Sequence, residues 1–223
     1  MTISELGAVA ASNGLLLSDE QLFSLEKYAD LLRAKNQVIN LISRKDEENI
    51  LSKHILHSLS VVFPKLHPAG IPKGSKVFDL GTGGGLPGIP IKIARPDISL
   101  TLCDSVGKKI AATSEMITAL NLHGLEAHTA RAEALAANRE HRNKYNFVVT
   151  RAVAPLSELA LWSRDLLKRT GTLIALKGGN LDEEIQKAQS LKFVSVIEVS
   201  PLELSGYDEF MKEEKQIVRV TVV

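Results

Sequence analysis

The chain is short of cysteine. Cys103 is the one thiol among 223 residues, so no internal disulfide can form and nothing points to an oxidising compartment. Its ordinary role is that of a small buried hydrophobe on a strand. Charge of one sign is missing too: 27 basic residues stand against 26 acidic ones, a net charge of +1. That balance gives no global electrostatic reason to bind nucleic acid, and such a partner would have to be met by a local basic face. The N-terminus lacks a basic region followed by a long apolar run, so no signal peptide is expected. No window is apolar enough to span a bilayer. Internal repeats and low-complexity tracts are absent as well. These absences together predict a cytoplasmic protein that makes no use of a membrane.

What is present is ordinary for a globular protein: 44% hydrophobic and 24% charged residues in a length that fits one sizeable α/β core with a small helical addition. In residues 19–43, Leu22, Leu25, Tyr28, Ala29, Leu32 and Ile39 fall roughly at helical spacing, and Ser18 or Asp19 can cap the start. A second helix is predicted over 46–63, with Ile50, Leu51, Ile55, Leu59 and Val62 facing inward and Pro64 ending it. The breaker-rich stretch 68–74 is the expected boundary between a helical segment, 1–70, and a second unit, 71–223, the two packed together. Beyond it the pattern alternates. Strands are predicted over 76–80, 98–103, 125–129, 147–150 and 172–176, with helices over 89–94, 108–120, 156–167 and 181–190. Two last strands, 193–199 and 216–223, have no helix between them and can pair as an antiparallel edge hairpin. The expected fold is α/β and Rossmann-like: a mainly parallel sheet covered by helices on both faces.

The informative segment runs Asp79-Leu80-Gly81-Thr82-Gly83-Gly84-Gly85-Leu86-Pro87-Gly88. It follows a strand and opens a helix, where doubly wound folds bind nucleotides. Glycines there permit backbone angles and close approach that side chains would block. Asp104, just after the second strand, lies across the strand ends and can accept both ribose hydroxyls of an adenosine moiety. Two cofactors compete. Gly83-x-Gly85-x-x-Gly88 formally matches the dinucleotide pattern of an NAD-dependent oxidoreductase. Asp79 argues the other way. A carboxylate beside the loop opposes a pyrophosphate but favours the sulfonium and ammonium of S-adenosylmethionine, by on the order of 1–4 kcal/mol at about 4 Å.

The same residues carry a resemblance. The run from Asp79 through Gly88-Ile89-Pro90 resembles the first motif of the RsmG (GidB) family, bacterial small-subunit ribosomal RNA guanine-N7 methyltransferases. Asp104-Ser105 with Lys108-Lys109, Arg131-Ala132-Glu133, Thr150-Arg151-Ala152-Val153-Ala154 and Lys177-Gly178 are similar to further family segments, in order. So are 36–41 and Lys53-His54-Ile55-Leu56-His57-Ser58-Leu59 near the N-terminus. Three positions depart from the family's habit: His57 stands where an acid is usual, Lys53 where arginine is common, and Thr150 where serine is usual.

The resemblance implies a class I methyltransferase fold, S-adenosyl-L-methionine as cofactor and 16S ribosomal RNA as partner. It makes Gly81, Leu86, Ala132, Glu133 and Arg151 cofactor contacts. The reading of the residues themselves adds Thr82, Gly83, Gly85 and Asp104. Methyl transfer from a sulfonium is an in-line displacement in which the protein mainly positions donor and acceptor. Guanine N7 carries a free lone pair and loses no proton, so no general base is assigned; Arg151 is the candidate for positioning. Lys177 is either a contact or a solvated strand-end lysine. Arg33, Lys35, Arg44, Lys45, Lys53, Lys108, Lys109, Arg139, Arg142 and Arg151 are the cations available for phosphates. His54 and His57 share a helix face, but they lack the further ligands a zinc site needs, so no metal is expected. A monomer is expected. The rival readings are a methyltransferase of a small molecule or protein, the oxidoreductase, and a binding protein on the same fold.

Overall fold

The computed structural model describes residues 1–67 and 70–223; Pro68 and Ala69 of the expected boundary lie outside the described residues. Seven strands form a single sheet in the order β3-β2-β1-β4-β5-β7-β6. Their ranges are β1 Lys76–Leu80, β2 Ser99–Asp104, β3 Leu125–Thr129, β4 Tyr145–Arg151, β5 Leu167–Gly178, β6 Val194–Pro201 and β7 Lys215–Val222. The pairs β1·β2, β1·β4, β2·β3 and β4·β5 are parallel. β7 inserts between β5 and β6 and runs antiparallel to both, which makes the final hairpin the sheet's edge. β1 lies at the switch point: the chain builds outward through β2 and β3, then returns to β1's other side with β4. The crevice of such a sheet therefore opens above the carboxyl ends of β1, β2 and β4.

Alternation along the strands divides the core. Val77, Leu100, Leu102, Val149, Ile174 and Ile217 face one layer. Phe78, Leu80, Val148, Leu173, Ala175, Val218 and Val220 face the other. The second layer is covered by helices α6 Ala132–Ala136, α7 Leu156–Arg164 and α8 Asp182–Gln189. The first is covered by α4 Gly88–Ala94, α5 Gly107–Ala119 and the whole N-terminal region. That region begins with α1 Ile3–Ser12, which the hydrophobic pattern does not announce. A capping box does: Thr2 accepts from the Glu5 backbone while the Glu5 carboxylate accepts from Thr2. In α2, Asp19–Asn36, Ser18 is the cap, and Leu25, Tyr28, Ala29 and Leu32 are buried. It ends seven residues short of the predicted stop, and Ile39 lies past its end.

The second predicted helix is helical but not one regular α-helix. A 3₁₀ turn over Arg44–Asn49 leads into a π-helix, Ile50–Leu56; one α turn, α3 His57–Leu59, and a further 3₁₀ turn, Ser60–Val62, complete it. The apolar spacing could not fix the helix type. Ser58 Oγ donates to His54 O and Ser60 Oγ to His57 O, each at 2.6 Å, which diverts carbonyls from the α ladder. Single π turns of this kind recur at functional sites. The small helix α9, Glu209–Lys212, precedes β7 and sets Phe210 against the His57 ring, with centroids 5.1 Å apart.

Candidate functional site

The glycine loop is braced from below. Asp79, on β1, is fully buried; its Oδ2 accepts from Thr82 Oγ1 at 2.6 Å and from the Gly88 N–H at 2.8 Å. Burial pushes its carboxyl up to about 7, against the opposing pull of those two hydrogen bonds. This corrects the electrostatic argument made from the sequence. Asp79 does not face the crevice and cannot select a cation there; it ties the loop to the helix behind it. Gly88 is the price of that arrangement: a Cβ there would sit 2.6 Å from Asp79 Oδ2 and closer still to Leu102.

Above, the loop lines a cleft of ≈ 570 Å³. Gly81, Thr82, Gly83, Leu86, Asp104, Ala132, Glu133 and Arg151 all reach its wall, together with Gly84. Gly81 has φ +73°, and a Cβ on it would come within 2.5 Å of Val153. Gly85 is turned away, at φ +95°, against Ile89 and Tyr28. Thr82 lines the wall, but its hydroxyl is spent on Asp79. Asp104 accepts the Gly83 N–H through Oδ2 at 3.0 Å and the Val106 N–H through Oδ1 at 2.9 Å. A carboxylate offers about four lone-pair sites, so capacity for two hydroxyls is left. Cys103 is buried beside it, with Sγ donating to Ala130 O, and burial pushes its thiol up to about 12.

Sequence reasoning missed the clamps. Tyr28 Oη donates to Gly84 O at 2.9 Å, and Thr113 Oγ1 donates to Gly83 O at the same distance. Leu41 and Ile42 supply the near wall. None of these carries a local signal, since each acts only where α2 and α5 pack on the loop. Thr150, where serine is usual, keeps the hydroxyl that matters: its Oγ1 donates to Leu80 O at 2.8 Å, joining the ends of β1 and β4.

Arg151, half-buried at the end of β4, is held by the N-terminal region. One guanidinium nitrogen donates to His54 Nδ1 at 2.7 Å and to Lys53 O at 3.3 Å. Lys177 is committed to Glu184, 2.6 Å away, and to Ala154 O at 2.7 Å. Arg33 pairs with Asp30 and Lys35 with Glu115. Arg44, Lys45, Lys108, Arg139 and Arg142 are exposed, and Lys109 lines the cleft. Among the described residues no group of three or more metal-ligating side chains converges, and no helix is long and apolar enough to cross a membrane.

The sheet order, with an open cleft at its switch point, defines a Rossmann-like α/β fold. Solved structures with this fold include a precorrin-6y C5,15-methyltransferase from Geobacter metallireducens, with TM-score 0.53 and 11% identity, the match covering 78% of this chain and 90% of that one. The CurJ carbon methyltransferase also shares it, with TM-score 0.59 and 13% identity over 92% of this chain and 67% of that one. The family model GidB, described as rRNA small subunit methyltransferase G, matches residues 21–211. A ribosomal RNA small subunit methyltransferase G from Chlorobium luteolum is 43% identical over 218 residues, 96% of this chain and 87% of that protein. This chain belongs to the GidB family, and S-adenosylmethionine is the methyl donor of its class.

Proposed function

We propose that this chain binds S-adenosylmethionine in the cleft over the glycine loop and methylates N7 of a guanine in 16S ribosomal RNA, acting as a cytoplasmic monomer without a metal. The observation that carries the cofactor assignment is the convergence of Gly81, Gly83, Asp104, Ala132 and Glu133 on one cleft above the ends of β1 and β2. Those residues fit an adenosyl group. Asp104 would take the ribose hydroxyls, Ala132 and Glu133 would border the adenine, and Gly81, Thr82, Gly83 and Leu86 would pack against the methionine end with Arg151 above. Gly85 supports the reading indirectly, by shaping the turn rather than by contact. The cofactor supplies the methyl group and the leaving group. The chain orders its own loop through Asp79, Tyr28 and Thr113 before either ligand arrives, so little reorganisation is left for the transfer step.

Titration calorimetry with S-adenosylmethionine and with NAD tests the cofactor, with binding expected for the first alone. Mass mapping of 16S ribosomal RNA from a deletion strain tests the acceptor. Loss of one guanine N7 methyl group is expected, and survival of all of them would remove the ribosomal assignment.

A further inference from the structure

A second cavity, ≈ 400 Å³, lies on the far side of Arg151. It shares three wall residues with the cofactor cleft: His54, Arg151 and Ala152. Ala152 is held at φ +53°, a backbone setting non-glycine residues seldom adopt and one that clusters at functional sites. Methyl transfer needs donor and acceptor in contact, so an acceptor approaching the cleft across this wall would occupy this cavity.

Its polar groups are unfinished. His54 and His57 are 7% and 5% exposed, both line the cavity, and the Nε2 of each is buried without a hydrogen-bond partner. The protonation of His54 follows from its neighbour. Arginine can only donate, so Nδ1 accepts from Arg151 and the ring proton sits on Nε2. Burial first, and Arg151 second, hold the ring neutral, with its titration pushed down to about 3. That Nε2–H lies beside Asp46 Oδ2, with 3.7 Å between the two atoms, too far for a hydrogen bond. Asp46 Oδ1 and Glu213 Oε1 stand 3.5 and 3.6 Å from Lys53 Nζ, loose pairs in the same cavity.

A donor and an acceptor side by side, neither satisfied by the other, are the complement of an acceptor and a donor side by side. Guanine presents that pair as O6 and N1–H. Adenine presents the reverse, an amino group beside a bare N1. A base read in this way keeps N7, on the other flank of O6, free of any hydrogen bond. The carboxylates of Asp46 and Glu213 also stabilise the positive charge that N7 methylation creates. Building on the functional reading above, the geometry points to this cavity as the pocket for the acceptor guanine, turned out of its RNA, with His54 Nε2–H donating to O6 and Asp46 accepting from N1–H.

The test uses the full chain with S-adenosylhomocysteine in the cleft, titrated with GMP, IMP and AMP. IMP keeps O6 and N1–H but lacks the exocyclic amine. GMP and IMP are expected to bind alike, and AMP about ten- to a hundredfold more weakly. Asp46→Ala, at a partly exposed position on a short turn, should erase that preference while leaving S-adenosylhomocysteine affinity unchanged. The same variant should lower kcat/KM for unmethylated small-subunit RNA by a similar factor, with KM for S-adenosylmethionine unmoved. Equal affinity for GMP and AMP, a preference that survives Asp46→Ala, or no nucleotide binding at all would overturn the pocket while methyl transfer by the wild type stands. A wild-type protein that transfers no methyl group to that RNA would overturn the functional reading, and this one with it.

Discussion

The glycine loop over 79–88 and the helical stretch over 44–62 form opposite sides of the same cleft region, and they are built on opposite terms. In the loop, most of the groups that shape it are paired within the fold: Asp79 Oδ2 with Thr82 and Gly88, Asp104 with Gly83 and Val106, and the Gly83 and Gly84 carbonyls with Thr113 and Tyr28, while Asp79 Oδ1, sealed beneath the loop and away from the cleft, is left without a partner. In the helical stretch, two buried histidines keep an unpartnered nitrogen. The Lys53 ion pairs there are loose at 3.5 and 3.6 Å, and the helix changes type three times within 19 residues. A region that finishes the hydrogen bonds along its ligand-facing side is a rigid seat. One that leaves them open has free energy to gain from a ligand, because an unmet buried donor costs about 1–3 kcal/mol.

The contrast can be broken most severely at Gly88. Gly88→Ala forces a methyl group against Leu102 and Asp79, and should cost about 3 kcal/mol. For a chain of this size that is a fall in Tm of roughly 10 °C, read by thermal denaturation. Gly81→Ala comes next. Its positive φ and the approach to Val153 should cost about 1–2 kcal/mol in backbone strain, and S-adenosylmethionine should bind at least about tenfold more weakly by calorimetry. Asp104→Ala should weaken cofactor binding with the fold retained; wild-type affinity would take Asp104 out of the site.

Titration sharpens the comparison, because the two regions respond to pH with opposite signs. Asp79 holds its proton more tightly in the fold than in the unfolded chain. Its contribution is therefore full below about pH 4 and is lost as pH rises toward about 7. His54 holds a proton less tightly in the fold, so its contribution is full above pH 6.5 and is lost as pH falls toward about 3. In urea unfolding between pH 4 and 7, Asp79→Asn should steepen the acid-side loss of stability and His54→Gln should flatten it. The smallest effect is expected at Arg33→Ala, which removes an exposed pair with Asp30 and should change stability by no more than about 0.5 kcal/mol.

Legibility followed the same division. The loop could be read because glycine at a tight turn and an acid at a strand end are local requirements: the chain must place those residue types there whatever packs around them. Thr113 and Tyr28 were illegible for the converse reason, as nothing in a helix marks which hydroxyl will meet a carbonyl 30 or 56 residues away. Asp79 was seen but misassigned, since sequence gives a carboxylate's neighbours along the chain and not the direction it faces.

By itself the sequence determined the alternation of strands and helices, the antiparallel edge, the cleft's place at the first crossover and most of its wall. Each of these follows from hydrophobic period and backbone sterics, which act over a few residues. Only the tertiary structure decided that Asp79 is a buried brace, that 44–62 winds in three helical forms, and that His54 is fixed in one tautomer by Arg151 with its free N–H beside a carboxylate. Those depend on burial and on partners distant in the chain, and both come into being only when the sheet closes against the N-terminal helices.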